Sequence, residues 1–332
     1  MREKLLLLLI GFITLNIILA ETCFAKIVNP NVVYTYAQMD QDLKTMERKY
    51  GNSLQVTSIG KSHLGKEIWA AKLGKGNRNI LLIGAHHGRE WLTTSLLMVM
   101  LENYVRSYDK GEQIGCFSTN LFDEVAIWFI PMLNPDGVTI QQKGLTAVPK
   151  YMADDIFEMN ALSPDFSRWK ANGIGIDLNR QYPAGWSALK EVSVPWYQFH
   201  KGPAPMVAKE IVTITAFTKN INPSVALSYH SSGREIFWNY KNGSYLERDK
   251  YLANKVSLLT GYTLSKPIKE ATGGGFTDWF ITTFHKPGMT IEICPLIDEI
   301  SPPLSIFKEE WKRNELVGIM LADEVQKMKL SN

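Results

Sequence analysis

Cysteine is scarce in this chain: three residues in 332, at Cys23, Cys116 and Cys294. That excludes a disulfide-stapled scaffold, and a chain of this length buries enough apolar surface to do without one. Charge of one sign is lacking too. Against 36 basic and 33 acidic residues the net charge is +3, with no basic block, so nucleic acid is not expected as a partner. Repeats and low-complexity tracts are absent, which excludes solenoids and biased linkers. Long apolar runs are missing with one exception, from Leu5 to Ala20.

That exception follows Arg2 and Lys4 and is followed by small residues, with Ala20 and Ala25 as cleavage points. The layout is that of a secretory signal peptide over residues 1–25, and it falls short of the roughly 20 residues a spanning helix needs. Export is therefore expected, with no stable membrane insertion unless the signal stays uncleaved. Removal of Cys23 would leave Cys116 and Cys294, free to pair outside the cell or to remain thiols. No linker divides residues 26–332, so they read as a single domain.

Apolar strands alternate with amphipathic helices along that domain. "VVYTYAQMDQDLKTMERKYG" reads as an extended entry and a helix stopped at Gly51. "LQVTSIGKSHLGKEIWAAKLG" reads as two strands about a turn at Leu64-Gly65-Lys66. Further strands are expected at Ile80–Ala85, in "EVAIWFIPML", "PSVALSYHSS" and "GMTIEICP", with helices from about Glu90 to Tyr104, in "MVAKEIVTITAFTKNI" and in "FKEEWKRNELVGIMLADEVQKM". "NPDG" after the second apolar strand is a turn signal. Residues 137–195 show little periodicity and read as long surface loops. The pattern is that of an α/β domain with helices on both faces of a sheet, and taken alone it favours parallel strands.

The chemistry begins where a strand stops. "GAHHGRE" places His87 and Glu90 three apart at a strand-to-helix junction, where both side chains can reach one point. An imidazole and a carboxylate suit Zn²⁺, which takes about three protein ligands and keeps an open position for catalysis. Alone the pair says little, since a loop histidine is more often solvated. His230 closes another apolar strand, and in open α/β sheets ligand sites form beyond the carboxyl ends of the strands. His63, His86, His200 and His285 lack that placement, and His86 has no acid three residues on.

"GMTIEICP" supplies an acid inside an apolar strand. Alternation puts Thr290, Glu292 and Cys294 on one face. A buried carboxylate is costly unless it is paired, near a metal or at work. Glu292 is either half of a buried ion pair or a general base acting on a metal-bound water. In "NGIGIDLNRQYP", Asn179 and Arg180 suit capture of a carboxylate, and Asp177 suits orientation of a ligand histidine.

"HGRE", "NPDG", "GIDLNR", "SYHSSG", "GGGFTDWF" and "MTIEI" occur in that order, and together they resemble the zinc metallocarboxypeptidases of the carboxypeptidase A type. The resemblance covers nearly all of the chain beyond the signal. It implies a mixed, mostly parallel eight-stranded sheet between helices and one Zn²⁺ per chain, held by His87, Glu90 and His230. It implies Glu292 as the catalytic base, Asn179 and Arg180 as the grip on a terminal carboxylate, and Arg89 as a residue beside the substrate. Asp177 is implied as the partner of the first zinc histidine. Two departures matter. The family's oxyanion arginine falls in "FSRWKANG", where Lys170 takes the aligned place and Arg168 stands two residues away. Where pancreatic-type enzymes have a closing tyrosine, this chain has Glu270, so tyrosine closure is not implied.

The residue before the aspartate of "GGGFTDWF" is Thr277, at the place that selects the substrate side chain in the digestive enzymes. A polar neutral residue there suits a diamino acid such as diaminopimelate. "WKANGIGIDLNRQYP", "YHSSGREIFW" and "GGGFTDWF" are similar to the bacterial branch that cleaves γ-D-glutamyl-(meso)diaminopimelate bonds in peptidoglycan stem peptides. The expectation is therefore an extracytoplasmic, cell-wall-associated peptidase. The alternative is a secreted carboxypeptidase that releases C-terminal L-amino acids from ordinary peptides. A catalytically dead relative would have lost a ligand or the base, and all four are present.

Overall fold

The computed structural model describes residues 26–190, 192–266 and 273–328. Its frame is one mixed sheet of eight strands. These are β1 (Leu54–Lys61), β2 (Glu67–Leu73), β3 (Arg78–Ile83), β4 (Val125–Ile130), β5 (Val225–Ser231), β6 (Glu235–Phe237), β7 (Thr263–Leu264) and β8 (Gly288–Ile293). Their spatial order is β1-β2-β4-β3-β5-β8-β6-β7. Four of the seven pairings are parallel (β3–β4, β3–β5, β5–β8, β6–β7) and three are antiparallel. The all-parallel sheet favoured by the apolar pattern is thus corrected at both edges. The central strands β3, β5 and β8 are buried over most of their length, and their apolar residues serve both faces, as in strands covered on both sides.

Alternation along those strands builds two cores. Ile80 and Leu82 of β3, Val225, Leu227 and Tyr229 of β5, and Met289, Ile291 and Ile293 of β8 share one core. Helices Tyr36–Tyr50, Leu92–Lys110, Leu246–Thr260, Phe307–Asn314 and Val317–Lys327 cover it. Leu81, Ile83 and Ala226 face the other way, against helices Lys209–Ile221 and Phe276–Phe284 and against Ile176, Leu178 and Tyr182 of the long loop region. On β5 and β8 this second parity also carries Ser228, His230, Thr290 and Glu292.

Local signals set the element ends. Thr35 caps helix Tyr36–Tyr50 by accepting from Gln38 N–H at 3.2 Å, and Gly51 stops it. "NPDG" does more than turn the chain. Asn134 accepts from Gly137 N–H at 2.8 Å, Pro135 fills the first helical position, and helix Pro135–Lys143 starts there. The C-terminal helical stretch is two helices, broken at Glu315 and Leu316. One parity expectation fails: Cys294 has φ +68, so the strand ends at Ile293 and the thiol falls in the first core rather than beside Glu292. Cys294 is buried, Cys116 is exposed, and both are free.

A candidate zinc site at the carboxyl ends of three strands

β3, β5 and β8 are parallel neighbours, so their carboxyl ends lie side by side. After β3, Ala85 at φ +46 turns the chain, and His87 precedes a single turn of 3-10 helix, Gly88–Glu90. That turn sits tightly on helix Pro135–Lys143. A Cβ on Gly88 would lie 2.4 Å from the Gly137 carbonyl oxygen, so only glycine allows the approach. Asn134 stitches the junction, its Nδ2 donating to the carbonyls of His86 at 3.0 Å and Ala171 at 3.1 Å.

His87, Glu90 and His230 converge beneath this loop, all buried, with donor atoms within 4.8 Å of one another. Glu90 Oε1 lies 2.8 Å from His87 Nδ1, and Oε2 lies 2.8 Å from His230 Nδ1. The two Nδ1 atoms face each other at 3.1 Å. Two imidazole nitrogens and a carboxylate turned to one point are what a zinc ion requires, and the other ring nitrogens are already engaged. His87 Nε2 is 3.1 Å from Asp177 Oδ1, and His230 Nε2 is 2.9 Å from Ser228 Oγ. The donor set fits Zn²⁺.

The charges around the three residues are matched. Burial opposes ionisation of Glu90, but the facing His87 and His230 hold its carboxyl well below the usual range. Burial lowers the His230 imidazole, and Glu90 pulls the other way. Asp177, also buried, is held well below the carboxylate range by Lys170, His87 and Arg180 despite its desolvation. Its Oδ1 accepts from Asn179 N–H at 3.1 Å, and its Oδ2 lies 3.4 Å from Lys170 Nζ.

A cavity of about 350 Å³ opens over this point, lined by His87, Arg89, Glu90, Lys170, Asp177, Asn179, Arg180, Thr277 and Glu292, among others. Glu292 stands directly across from His230 in the β5–β8 register. Desolvation pushes its carboxyl well above the usual value, Glu90 and Glu235 add to the rise, and Lys170 and Arg89 oppose it. Asn179 Oδ1 accepts from Phe276 N–H at 3.1 Å, which leaves its NH₂ donors for the cavity. Arg180 stacks on Phe199, as does Lys170, at 5.0 and 4.9 Å from the ring centroid. Arg89 is held by the Gln198 side chain and the Glu299 carbonyl, at 3.1 and 3.2 Å from Nη1.

The two cations left open by the sequence part company here. Lys170 lines the cavity, its backbone fixed by a hydrogen bond from Gly88 N–H to the Lys170 carbonyl at 3.0 Å. Arg168 is half-exposed and paired with Glu299, and it is not among the residues lining the cavity. Thr277 is buried and lines the cavity, its hydroxyl 2.8 Å from that of Thr290. Asp278 beside it accepts from Gly273 N–H at 2.6 Å, and burial pushes its carboxyl up to about 6. Glu270 lies outside the described residues.

His86, Ser228 and Tyr182 carry no placement signal of their own in the sequence. All three are fully buried behind His230. The parity of β5 is the available signal for Ser228, since it and His230 are two apart on one strand.

The model of the zinc carboxypeptidase family matches residues 39–315. The chain is 31% identical over 301 residues to Gamma-D-glutamyl-L-diamino acid endopeptidase 1 of Lysinibacillus sphaericus, covering 90% of this chain and 74% of that protein. It is 29% identical over 201 residues to Metallocarboxypeptidase A of Trichophyton rubrum, covering 58% of this chain and 44% of the fungal protein. Among solved structures, bovine thrombin-activatable fibrinolysis inhibitor in complex with tick carboxypeptidase inhibitor superposes with a TM-score of 0.73 at 17% identity, covering 90% of this chain and 99% of that one. Carboxypeptidase A from Helicoverpa armigera gives 0.69 at 17% identity, with 92% and 76% covered. At such identities the likeness is one of fold.

Proposed function

The chain belongs to the zinc carboxypeptidase family, and from that premise we propose that it is an exported peptidase that hydrolyses the γ-D-glutamyl-(meso)diaminopimelate bond of peptidoglycan stem peptides. Membership makes it a zinc-dependent hydrolase, and His87, Glu90 and His230 are the residues that would hold the metal. The observation that carries the substrate reading is the hydroxyl pair of Thr277 and Thr290 in the cavity wall. The pair has two hydroxyl protons and spends one on its mutual bond, so an apolar side chain would leave the other without an acceptor, and a lone cation would find no carboxylate in the pair. The polar end of a diamino acid satisfies them. The relative from Lysinibacillus sphaericus supports the same reading.

Bound zinc supplies a Lewis acid that acidifies water and polarises a carbonyl. The chain's own residues do the rest. Glu292, with its raised affinity for a proton, takes one from the attacking water and passes it to the leaving amine. Lys170 presents its ammonium where negative charge develops on the carbonyl oxygen. Asn179 and Arg180 hold a free carboxylate on the leaving side, which fixes the position of cleavage. Arg89, anchored by Gln198 and Glu299, borders the substrate. The segment that would direct export, residues 1–25, lies outside the described residues. Among the described residues no helix is long and apolar enough to cross a membrane.

The test offers the purified zinc-loaded protein L-Ala-γ-D-Glu-meso-diaminopimelate beside a panel of peptides with ordinary C-terminal L-amino acids. Release is read by mass spectrometry with and without chelator. Chelator-sensitive release of diaminopimelate alone is expected. Release from the ordinary panel alone would discard the wall substrate and leave a general secreted carboxypeptidase.

A further inference from the structure

The two zinc histidines are backed by groups of different kinds. His87 Nε2 faces the Asp177 carboxylate at 3.1 Å, and an ionised carboxylate only accepts. The proton of His87 is therefore fixed on Nε2, and Nδ1 keeps its lone pair. His230 Nε2 faces the Ser228 hydroxyl at 2.9 Å, and a hydroxyl both donates and accepts. That contact alone does not set the tautomer.

Ser228 Oγ has one proton and two imidazole nitrogens in reach, His230 Nε2 and, at 3.1 Å, His86 Nδ1. Suppose the proton points at His230. Nε2 is then bare, the ring proton sits on Nδ1, and the atom turned towards Glu90 and His87 cannot bind a metal. Suppose instead it points at His86. Oγ then accepts from His230 Nε2–H, and His230 Nδ1 is free. His86 accepts on Nδ1 only if its own proton is on Nε2, and Tyr182 Oη lies 3.0 Å from that nitrogen, placed to accept. The relay runs one way, from His230 Nε2–H to Ser228, from Ser228 to His86, and from His86 to Tyr182.

We propose that His86 is a positioning residue of the zinc site, directing the Ser228 hydroxyl so that His230 keeps the tautomer whose Nδ1 binds metal. The inference rests on reading His87, Glu90 and His230 as zinc ligands. His86, Tyr182 and Ser228 are fully buried, so bulk water does not stand in for a lost acceptor. The His86 ring stacks on that of His230, centroids 5.2 Å apart and planes 26° apart. Phe276 covers it at 6.0 Å. These contacts hold the ring in the orientation the relay needs.

The test is zinc affinity, measured by chelator competition on the full chain, with far-UV circular dichroism as the check on folding. His86→Leu removes the acceptor and should weaken zinc binding by roughly 10–100-fold, the range for partners behind a metal ligand. His86→Asn, which offers an amide oxygen in place of Nδ1, should stay close to wild type, a rescue that mere filling of space would not give. Undiminished zinc affinity in folded His86→Leu would overturn the proposal. Should that variant fail to fold, the unmodified protein decides. Nitrogen-15 histidine spectra of the zinc-loaded form should show His86 protonated on Nε2, and a proton on its Nδ1 would overturn the relay. A wild-type chain that takes up no zinc sinks the functional reading along with this one, whereas normal wild-type uptake with unchanged His86→Leu sinks this one alone.

Discussion

His230 and Glu292 stand opposite each other on parallel neighbours β5 and β8, and both project from the face that carries the cavity. A one-residue slip of β8 would turn Glu292 into the first core and bring Ile291 or Ile293 out in its place. The register between two apolar strands therefore couples the fold to the reaction. It brings a proposed base beside a proposed metal ligand without making it one. Burial and the Glu90 carboxylate raise the proton affinity of Glu292, which suits a group that must take a proton and give it back.

Glu292→Gln should accordingly separate metal from turnover. The amide conserves volume and leaves the triad untouched, so zinc stoichiometry should stay at one per chain. kcat should fall by about 10²–10⁴-fold, the usual contribution of a positioned acid–base group. Metal analysis and kcat on one preparation check this. Wild-type turnover would remove Glu292 from the mechanism.

Lys170→Met and Arg168→Met should diverge. Lys170 lines the cavity beside Asp177, while Arg168 is paired with Glu299 and lies outside that lining. Loss of the Lys170 charge should lower kcat by about 10²–10³-fold, the range for a single oxyanion donor. Loss of Arg168 should change kcat by no more than a few-fold. Zinc content belongs in the same measurement, because Lys170 also balances Asp177. A large loss from Arg168→Met with Lys170→Met near wild type would reverse the assignment.

Why the sequence showed some of this and hid the rest follows from what periodicity encodes. His87, Glu90, His230 and Glu292 stood out because each interrupts or ends an apolar run, where a polar group needs a reason. β6 and β7 span three and two residues, too short to display alternation. Lys170 and Arg168 lie in a loop region without periodicity, so only tertiary contacts with Gly88 and Glu299 separate them. Cys294 defied its parity because one left-handed residue ends the strand. Ser228 shares a strand face with His230 already in the sequence, but the link through it to His86 exists only once β3 and β5 are paired.

Asp177→Asn tests the support of the first zinc histidine. The carboxylate orients His87 through Nε2 and also lies 3.4 Å from Lys170. An amide can turn its NH₂ towards either partner, and neither interaction then favours metal. Zinc affinity should fall by roughly 10–100-fold. Chelator competition measures it, and an unchanged affinity would mean that packing alone holds the His87 ring.

The pH dependence of stability takes a definite sign from Asp278. Burial raises this carboxyl to about 6 in the folded protein, from an ordinary value of 3.8. The folded state then binds more protons than the unfolded chain between those values. Stability from this group is full below the lower value and is lost as pH rises through the upper one. A shift of that size corresponds to about 2–3 kcal/mol. Asp278→Asn never ionises and still offers an oxygen to Gly273 N–H, so it should escape the loss. Urea unfolding of wild type and variant from pH 4 to pH 7 gives the difference directly, with other titrating groups cancelling between them. The variant should gain on wild type as pH rises from 4 to 6 and hold a constant advantage above that. A difference that stays flat across the range would mean that Asp278 ionises at an ordinary pH and that the Gly273 N–H offsets its desolvation in full.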